Sequence, residues 1–199
     1  MRGKHYFSTR NLVTIALLSC LGAALSTYIG YLAKAVGNTV GFPGGAQVLS
    51  GLHVFWIILV LVLVDKPGAG LLAAVLDNTV QFMMGSHLGV FVLPVGLMEG
   101  VFAEAGYWPL RRYSRVLSCM LAGGLGTWSN LLVIHLAFNM FITRGIFRIV
   151  SLLAFGSGIV FAGLLSLGIS KILENAGLAR KSALPAASQE RKGLPVTES

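Results

Sequence analysis

Six long apolar stretches alternate with short polar or glycine-bearing breaks, at residues 12–33, 48–64, 68–84, 90–108, 116–141 and 147–172. Each is near the roughly 20 residues that carry an α-helix across a bilayer, the second and third being the shortest. Asp65-Lys66-Pro67 separates those two, and proline disfavours helix in the residue before it. Gly85-Ser86-His87 marks the next turn, and the basic cluster at 111–115 the one after. Backbone groups in lipid must be bonded within their own segment, so the pattern predicts an all-α integral membrane protein of six transmembrane helices. The expected organisation is a cytoplasmic segment over 1–11, a six-helix membrane domain over 12–175, and a disordered cytoplasmic tail over 176–199. That tail is rich in Ser, Ala, Pro, Gln, Glu and Lys and shows no apolar periodicity. Gly22-Ala23-Ala24 has the small-residue character of a signal cleavage site, but the apolar run continues past it, so the first stretch reads as a span.

Composition agrees. The 199 residues are 55% hydrophobic and 11% charged, with a mean hydropathy of +0.80. A soluble domain carries about 25% charged residues, because it needs a solvated surface. The net charge of +8 would fit nucleic acid, but its placement follows the topology instead. With the N-terminus inside, twelve of the fifteen Lys and Arg residues fall on the inner face, leaving only Lys34, Arg144 and Arg148 outside. This is the positive-inside distribution, so both termini are expected in the cytoplasm of a bacterial or archaeal plasma-membrane protein. No nucleic-acid partner is expected. Cys20 and Cys119 both lie in apolar runs and form neither a disulfide framework nor a metal-ligand spacing.

Polar residues inside the apolar stretches are the informative ones, since an ionisable group costs about 2.5–3.5 kcal/mol at the bilayer centre. Asp77, Asn78 and Gln81 lie in the third stretch, Glu99 and Glu104 in the fourth, and Trp128, Asn130, His135 and Asn139 in the fifth. Asp77 and Gln81 are four residues apart, as are His135 and Asn139, so each pair shares a helix face. Depth along the spans places most of these groups between mid-membrane and the outer surface. They are the expected substrate-binding residues of a pocket open to the outside. Five residues separate Glu99 from Glu104, about 140° around a helix, so one cavity need not hold both. Glu104 lies within reach of Arg111 or Arg112, and a structural ion pair at the inner interface is expected there.

The break between the first two stretches, Gly37 to Gly45, is glycine-rich and reads as a lid over the outer pocket, with Asn38 and Phe42 as its candidate residues. Small residues recur at helix-packing spacing: Ala16, Cys20 and Ala24 in the first stretch; Gly96 and Gly100 in the fourth; Ala154, Gly158, Ala162 and Ser166 in the last. Such stripes pack either within the bundle or against another membrane subunit.

The chain resembles the substrate-capture (S) components of energy-coupling factor (ECF) vitamin transporters, in particular the thiamine/hydroxymethylpyrimidine type called YkoE-like. The resemblance spans 66–177. It rests on Lys66-Pro67-Gly68-Ala69, on Met84-Gly85-Ser86-His87-Leu88-Gly89, on Gly100-Val101-Phe102-Ala103-Glu104-Ala105, and on Gly156-Ser157-Gly158 followed by Ala162-Gly163-Leu164-Leu165. It implies a six-helix protein that holds a small heteroaromatic vitamin or precursor at its outer face. It also implies a membrane coupling subunit, contacted through Ala16, Cys20 and Ala24, and two cytoplasmic ATPases as further partners. The family pattern has an acidic residue where Gln81 stands and a proline where His87 stands, so Asp77 or Glu99 is expected to supply the missing charge. Phe82, Phe102 and Trp128 are the candidate partners for a flat ring. No P-loop occurs in the chain, so ATP would be used by the partners; no cofactor or metal is expected in the chain itself, and no enzymatic activity. Two rivals have sequence features of their own. An intramembrane protease would use Ser157 and His135, and a stand-alone secondary transporter would show repeats and broken helices.

Overall fold

The computed structural model describes residues 6–40, 45–138 and 144–177. Among these the chain is all helical. Helix α1 runs Thr9–Val40, α2 Ser50–Val64, α3 Ala69–Met83, α4 Val92–Arg111 and α5 Arg115–Phe138. The last, α6, spans Arg144–Asn175 and contains a π-helical segment at Gly158–Leu164. Short 3₁₀ turns at Gly45–Val48 and Gly89–Phe91 lead into α2 and α4.

Four of the six, α1, α4, α5 and α6, are long and apolar enough to cross a membrane. The other two have 15 residues each, about 22 Å of helix against a hydrocarbon core of roughly 30 Å. Helix α2 is apolar all round because it is enclosed on nearly every side. Ten of its residues are buried, among them Val54, Ile57, Ile58 and Leu61 at the centre of the bundle core. Helix α1 is the opposite case, with Leu12, Val13, Leu17, Leu21, Tyr28 and Leu32 exposed along its length. The segment 37–40, expected to be loop, is helical. No proline stands before position 43, and Thr39 Oγ1 donates to Ala35 O at 2.9 Å within the turn. Asn38 is therefore an exposed helical residue, and Phe42 lies outside the described residues.

Small residues decide which helices approach closely. A Cβ at Gly163 would stand 2.7 Å from Cys119 O, and one at Gly106 would stand 2.9 Å from Ala122 Cα, so α5 lies directly against both α6 and α4. The α6 stripe of Ala154, Gly158, Ala162 and Ser166 is buried in the bundle, as are Gly96 and Gly100 facing α3. The α1 stripe is different: Ala16 and Cys20 are exposed and Ala24 is half-buried.

The helices alternate in direction, giving the bundle two unlike ends. The basic end gathers the start of α1 and the turns between α2 and α3 and between α4 and α5. There Tyr6 Oη donates to Pro67 O at 3.1 Å, Lys66 Nζ donates to Tyr6 O at 2.5 Å, and Arg115 pairs with Glu174 of α6 at 2.8 Å. At the same end Asp65 is held by Arg111, whose Nε donates to Asp65 Oδ1 at 2.5 Å, and by the Tyr107 hydroxyl at 3.3 Å. Glu104 does not form the expected ion pair with Arg111 or Arg112. Its Oε2 accepts from Gly68 N at 2.9 Å and its Oε1 from Leu71 N at 3.0 Å. Arg111 is claimed by the nearer Asp65, and Glu104 instead satisfies two of the open N–H groups at the start of α3, where a negative charge also meets the positive end of the helix dipole.

Candidate functional site

A cavity of about 330 Å³ opens at the other end of the bundle. Helix α1 supplies Ser26, Gly30 and Lys34 to its wall, and the entry into α2 supplies Gln47, Ser50 and His53. Gln81 of α3 and Asn130 of α5 add two amides, and His87 and Leu88 come from the turn between α3 and α4. Leu131, Ile134 and Val150 complete an otherwise apolar lining.

Behind this wall lie the two carboxylates singled out from the sequence. Glu99 is 0% exposed and Asp77 1%, and neither reaches the cavity surface. Asn130 Nδ2 donates to Glu99 Oε1 at 2.6 Å, while His53 Nε2 stands 3.5 Å from Glu99 Oε2. Gln81 Nε2 donates to Asp77 Oδ2 at 2.5 Å, one helical turn along α3. The remaining oxygens, Asp77 Oδ1 and Glu99 Oε2, have no hydrogen-bond donor. Gly22 allows this arrangement, since a Cβ there would stand 2.8 Å from Asp77 Oδ1 and 2.7 Å from Trp56.

Helix α1 is tied to the cavity mouth through the α3–α4 turn. Tyr31 Oη donates to Gly85 O at 2.6 Å, and its ring lies 5.9 Å from that of His87. Gly85 sits at φ 80°, a left-handed turn position that glycine takes without strain. A Cβ at Gly30 would stand 2.6 Å from His87 Cε1, so glycine is what lets this imidazole lie on α1. Partial burial, with His53 and Lys34 nearby, holds His87 below its ordinary pKa.

Of the expected binding residues, the structure brings together Asp77 with Gln81 and Glu99 with Asn130, as two hydrogen-bonded pairs beside one cavity. Asn78 is elsewhere: it donates to Ala74 O at 2.9 Å and packs where a Cβ on Gly96 would fall. Trp128 and His135 are corrections, because both lie on the α5 face turned away from Asn130. Trp128 packs against Phe102 at 6.2 Å between ring centroids, and His135 lies against Phe147 at 4.6 Å. Two and five residues from Asn130 at 100° each leave these side chains on other sides of the helix. Asn139 lies outside the described residues. Phe82 is 44% exposed, and the only rings on the cavity wall among the described residues are His53 and His87. Ser157 is no free nucleophile. Its hydroxyl donates to Val48 O at 2.7 Å and accepts from Gly51 N at 3.0 Å, pinning α6 to the start of α2.

The missed residues are His53, Ser26 and Gln47. His53 was legible: it is a lone ionisable group one turn into the most apolar helix, the situation that marks an interior or a site. Ser26 and Gln47 carried no such signal, because a serine in a membrane helix and a glutamine beside a glycine loop are ordinary.

Three comparisons place the chain. The structure shares its fold with a crystallographically determined S-component of an ECF transporter, at a TM-score of 0.81 and 20% identity, covering 94% of this chain and 95% of that one. YkoE of Bacillus subtilis (strain 168), a proposed HMP/thiamine permease protein, is 21% identical over 184 residues, covering 89% of this chain and 90% of the relative. Residues 10–129, more than half of the chain, match the family described as the permease component of ABC-type cobalt transport systems. With its apolar helices, the protein is thus a multi-pass plasma-membrane protein of S-component fold that belongs to the family of ABC-type cobalt transport system permease components.

Proposed function

We propose that this chain is the substrate-capturing membrane subunit of an ECF-type importer and that it binds a thiamine-related pyrimidine, hydroxymethylpyrimidine or thiamine. The observation that carries the reading is the cavity between α1, α2, α3 and α5, whose polar wall is backed by two fully buried carboxylates. Burying two ionisable groups beside a cavity is expensive for stability alone, and a ligand-binding role accounts for them. The size suits a small molecule, near the lower end of the roughly 300–1,000 Å³ range of ligand pockets. The pyrimidine follows from the likeness to YkoE along nine-tenths of both chains. The matched family's description names cobalt, yet among the described residues no three His, Cys, Asp or Glu side chains converge as metal ligands. Three amides, two hydroxyls and two imidazoles beside aliphatic side chains favour an organic ligand over a divalent ion.

On this reading uptake is driven by partners. A membrane coupling subunit binds at the Ala16–Cys20–Ala24 face of α1, and two cytoplasmic ATPases complete the assembly from the cytoplasmic side, where the basic end of the bundle lies. The test is to purify the protein in detergent without added ligand and identify any small molecule released on denaturation by mass spectrometry. Thiamine or hydroxymethylpyrimidine is the expected product, together with ATPase subunits in the copurified fraction. A different vitamin would overturn the substrate and keep the class. An empty preparation that binds no vitamin would overturn both.

A further inference from the structure

The carboxylates at the site do not face the space a ligand would occupy. Asp77 and Glu99 are sealed behind the wall, whereas Gln81 and Asn130, each bonded to one of them, are on it. An ionised carboxylate only accepts hydrogen bonds, and an amide donates only through its NH₂ edge. The edge turned to the carboxylate is therefore the nitrogen, as the bonds of 2.5 Å and 2.6 Å record. Each amide then keeps its carbonyl oxygen, on the side away from the carboxylate, and one further N–H. Gln47 also lines the cavity, but its Oε1 is buried and has no donor. Two amide oxygens, from α3 and α5, thus offer acceptors. The cationic amine among the lining residues, Lys34, is exposed on α1.

We infer that Asp77 and Glu99 are positioning residues that lock the Gln81 and Asn130 amides with their oxygens toward the cavity, so that the site selects ligands by hydrogen-bond donors and prefers an amino-substituted ring over its oxo counterpart. This rests on the substrate-binding reading above but not on the identity of the vitamin. An exocyclic amine gives its N–H groups to these oxygens. An oxo group at the same position meets oxygen with oxygen and leaves buried acceptors unpaired, the kind of mismatch that gives strong discrimination. His53, from α2, opposes the other Glu99 oxygen and steadies the same second layer.

The test uses the full-length protein in lipid nanodiscs and matched amine/oxo pairs: thiamine with oxythiamine, the aminopyrimidine precursor with its 4-oxo analogue, cytosine with uracil, and adenine with hypoxanthine. Dissociation constants by calorimetry are expected to favour the amine at least tenfold within whichever pair binds. Gln81→Met and Asn130→Leu should each shrink that ratio several-fold, because the oriented oxygen is gone while the carboxylate remains. Asp77→Asn, which can present either edge to Gln81, should shrink the ratio in the wild-type background and leave it unchanged in a Gln81→Met background. A merely structural role would weaken both members of a pair in parallel. A ratio untouched by both amide substitutions would overturn the inference, as would an Asp77→Asn effect that persists without Gln81, the mark of direct contact. If either amide variant fails to fold, the other and the wild-type ratio still decide. Selective binding of a non-thiamine amine would sink the proposed vitamin and keep this inference. A preference for the oxo members, or no binding of any pair, would end it.

Discussion

The two ends of the bundle treat their carboxylates in opposite ways. At the basic end, both oxygens of Glu104 accept backbone N–H groups of α3, and both oxygens of Asp65 are engaged by Arg111. At the cavity end, Asp77 and Glu99 are more deeply buried, yet each keeps an oxygen without a hydrogen-bond donor. A polar group out of water is costly unless paired, so a completed set is what stability selects and an incomplete one needs another reason. The basic end is built to hold helices together, and the cavity end is built to hold something else. What differs is that the last oxygen of Asp77 has no donor and that of Glu99 has only His53 at 3.5 Å, too long for a good hydrogen bond.

The largest effect expected from breaking this contrast is at Glu104. Glu104→Ala leaves two N–H groups at the start of α3 without their acceptors and should cost on the order of 2–3 kcal/mol, read as a lower thermal midpoint in detergent. The dissociation constant for the proposed ligand should stay within about twofold, since the capped turn is at the far end of α3 from Gln81. A tenfold loss of affinity would erase the distinction between the ends.

Next is the pair between Asp65 and Arg111, whose side chains are 21% and 35% exposed. Solvent screening limits a pair of this kind to about 1 kcal/mol, so Arg111→Met should be mildly destabilising with ligand binding intact. A double-mutant cycle with Asp65→Asn measures the coupling, which should weaken as salt is raised.

Ser26 sharpens the comparison from the other side. Its hydroxyl is buried on the cavity wall and has no partner. Ser26→Ala should therefore change the stability of the empty protein by less than about 0.5 kcal/mol, while weakening ligand binding by roughly three- to fivefold. Thermal melts with and without ligand separate the two.

The smallest expected effect is the pH response of His87. Its pKa is lowered in the folded protein by burial, then by His53 and Lys34, so protonation favours an opened turn. The contact with Tyr31 is at full strength above the ordinary histidine value of about 6.5 and weakens as the pH falls below it. Lower amide protection over 85–89 at about pH 5.5 than at about pH 7.5, after correction for the intrinsic pH dependence of exchange and abolished in His87→Phe, is the expected result.

The hydrophobic pattern alone determined that this chain is helical and membrane-embedded, and it located all six helices to within a few residues at most boundaries. It failed at 37–40, where glycine was read as loop although the helix simply continues. Helical register also separated Glu99 from Glu104 correctly, because 100° per residue holds whatever surrounds the helix. What register cannot supply is the direction of the bundle interior. An apolar stretch facing lipid and one facing protein have the same composition, so the enclosure of α2 and the exposure of α1 were undecidable from hydropathy. Register also separates Trp128 and His135 from Asn130, by about 160° and 140°, and the packing of α5 decided that the Asn130 side is the one at the cavity. Partnership is also a tertiary property. Glu104 lies seven residues from Arg111 but bonds backbone 36 and 33 residues away in sequence, and Glu99 meets Asn130 across 31. The cost of each intramembrane polar group could be read from its type; which group repays that cost depended on where the helices meet.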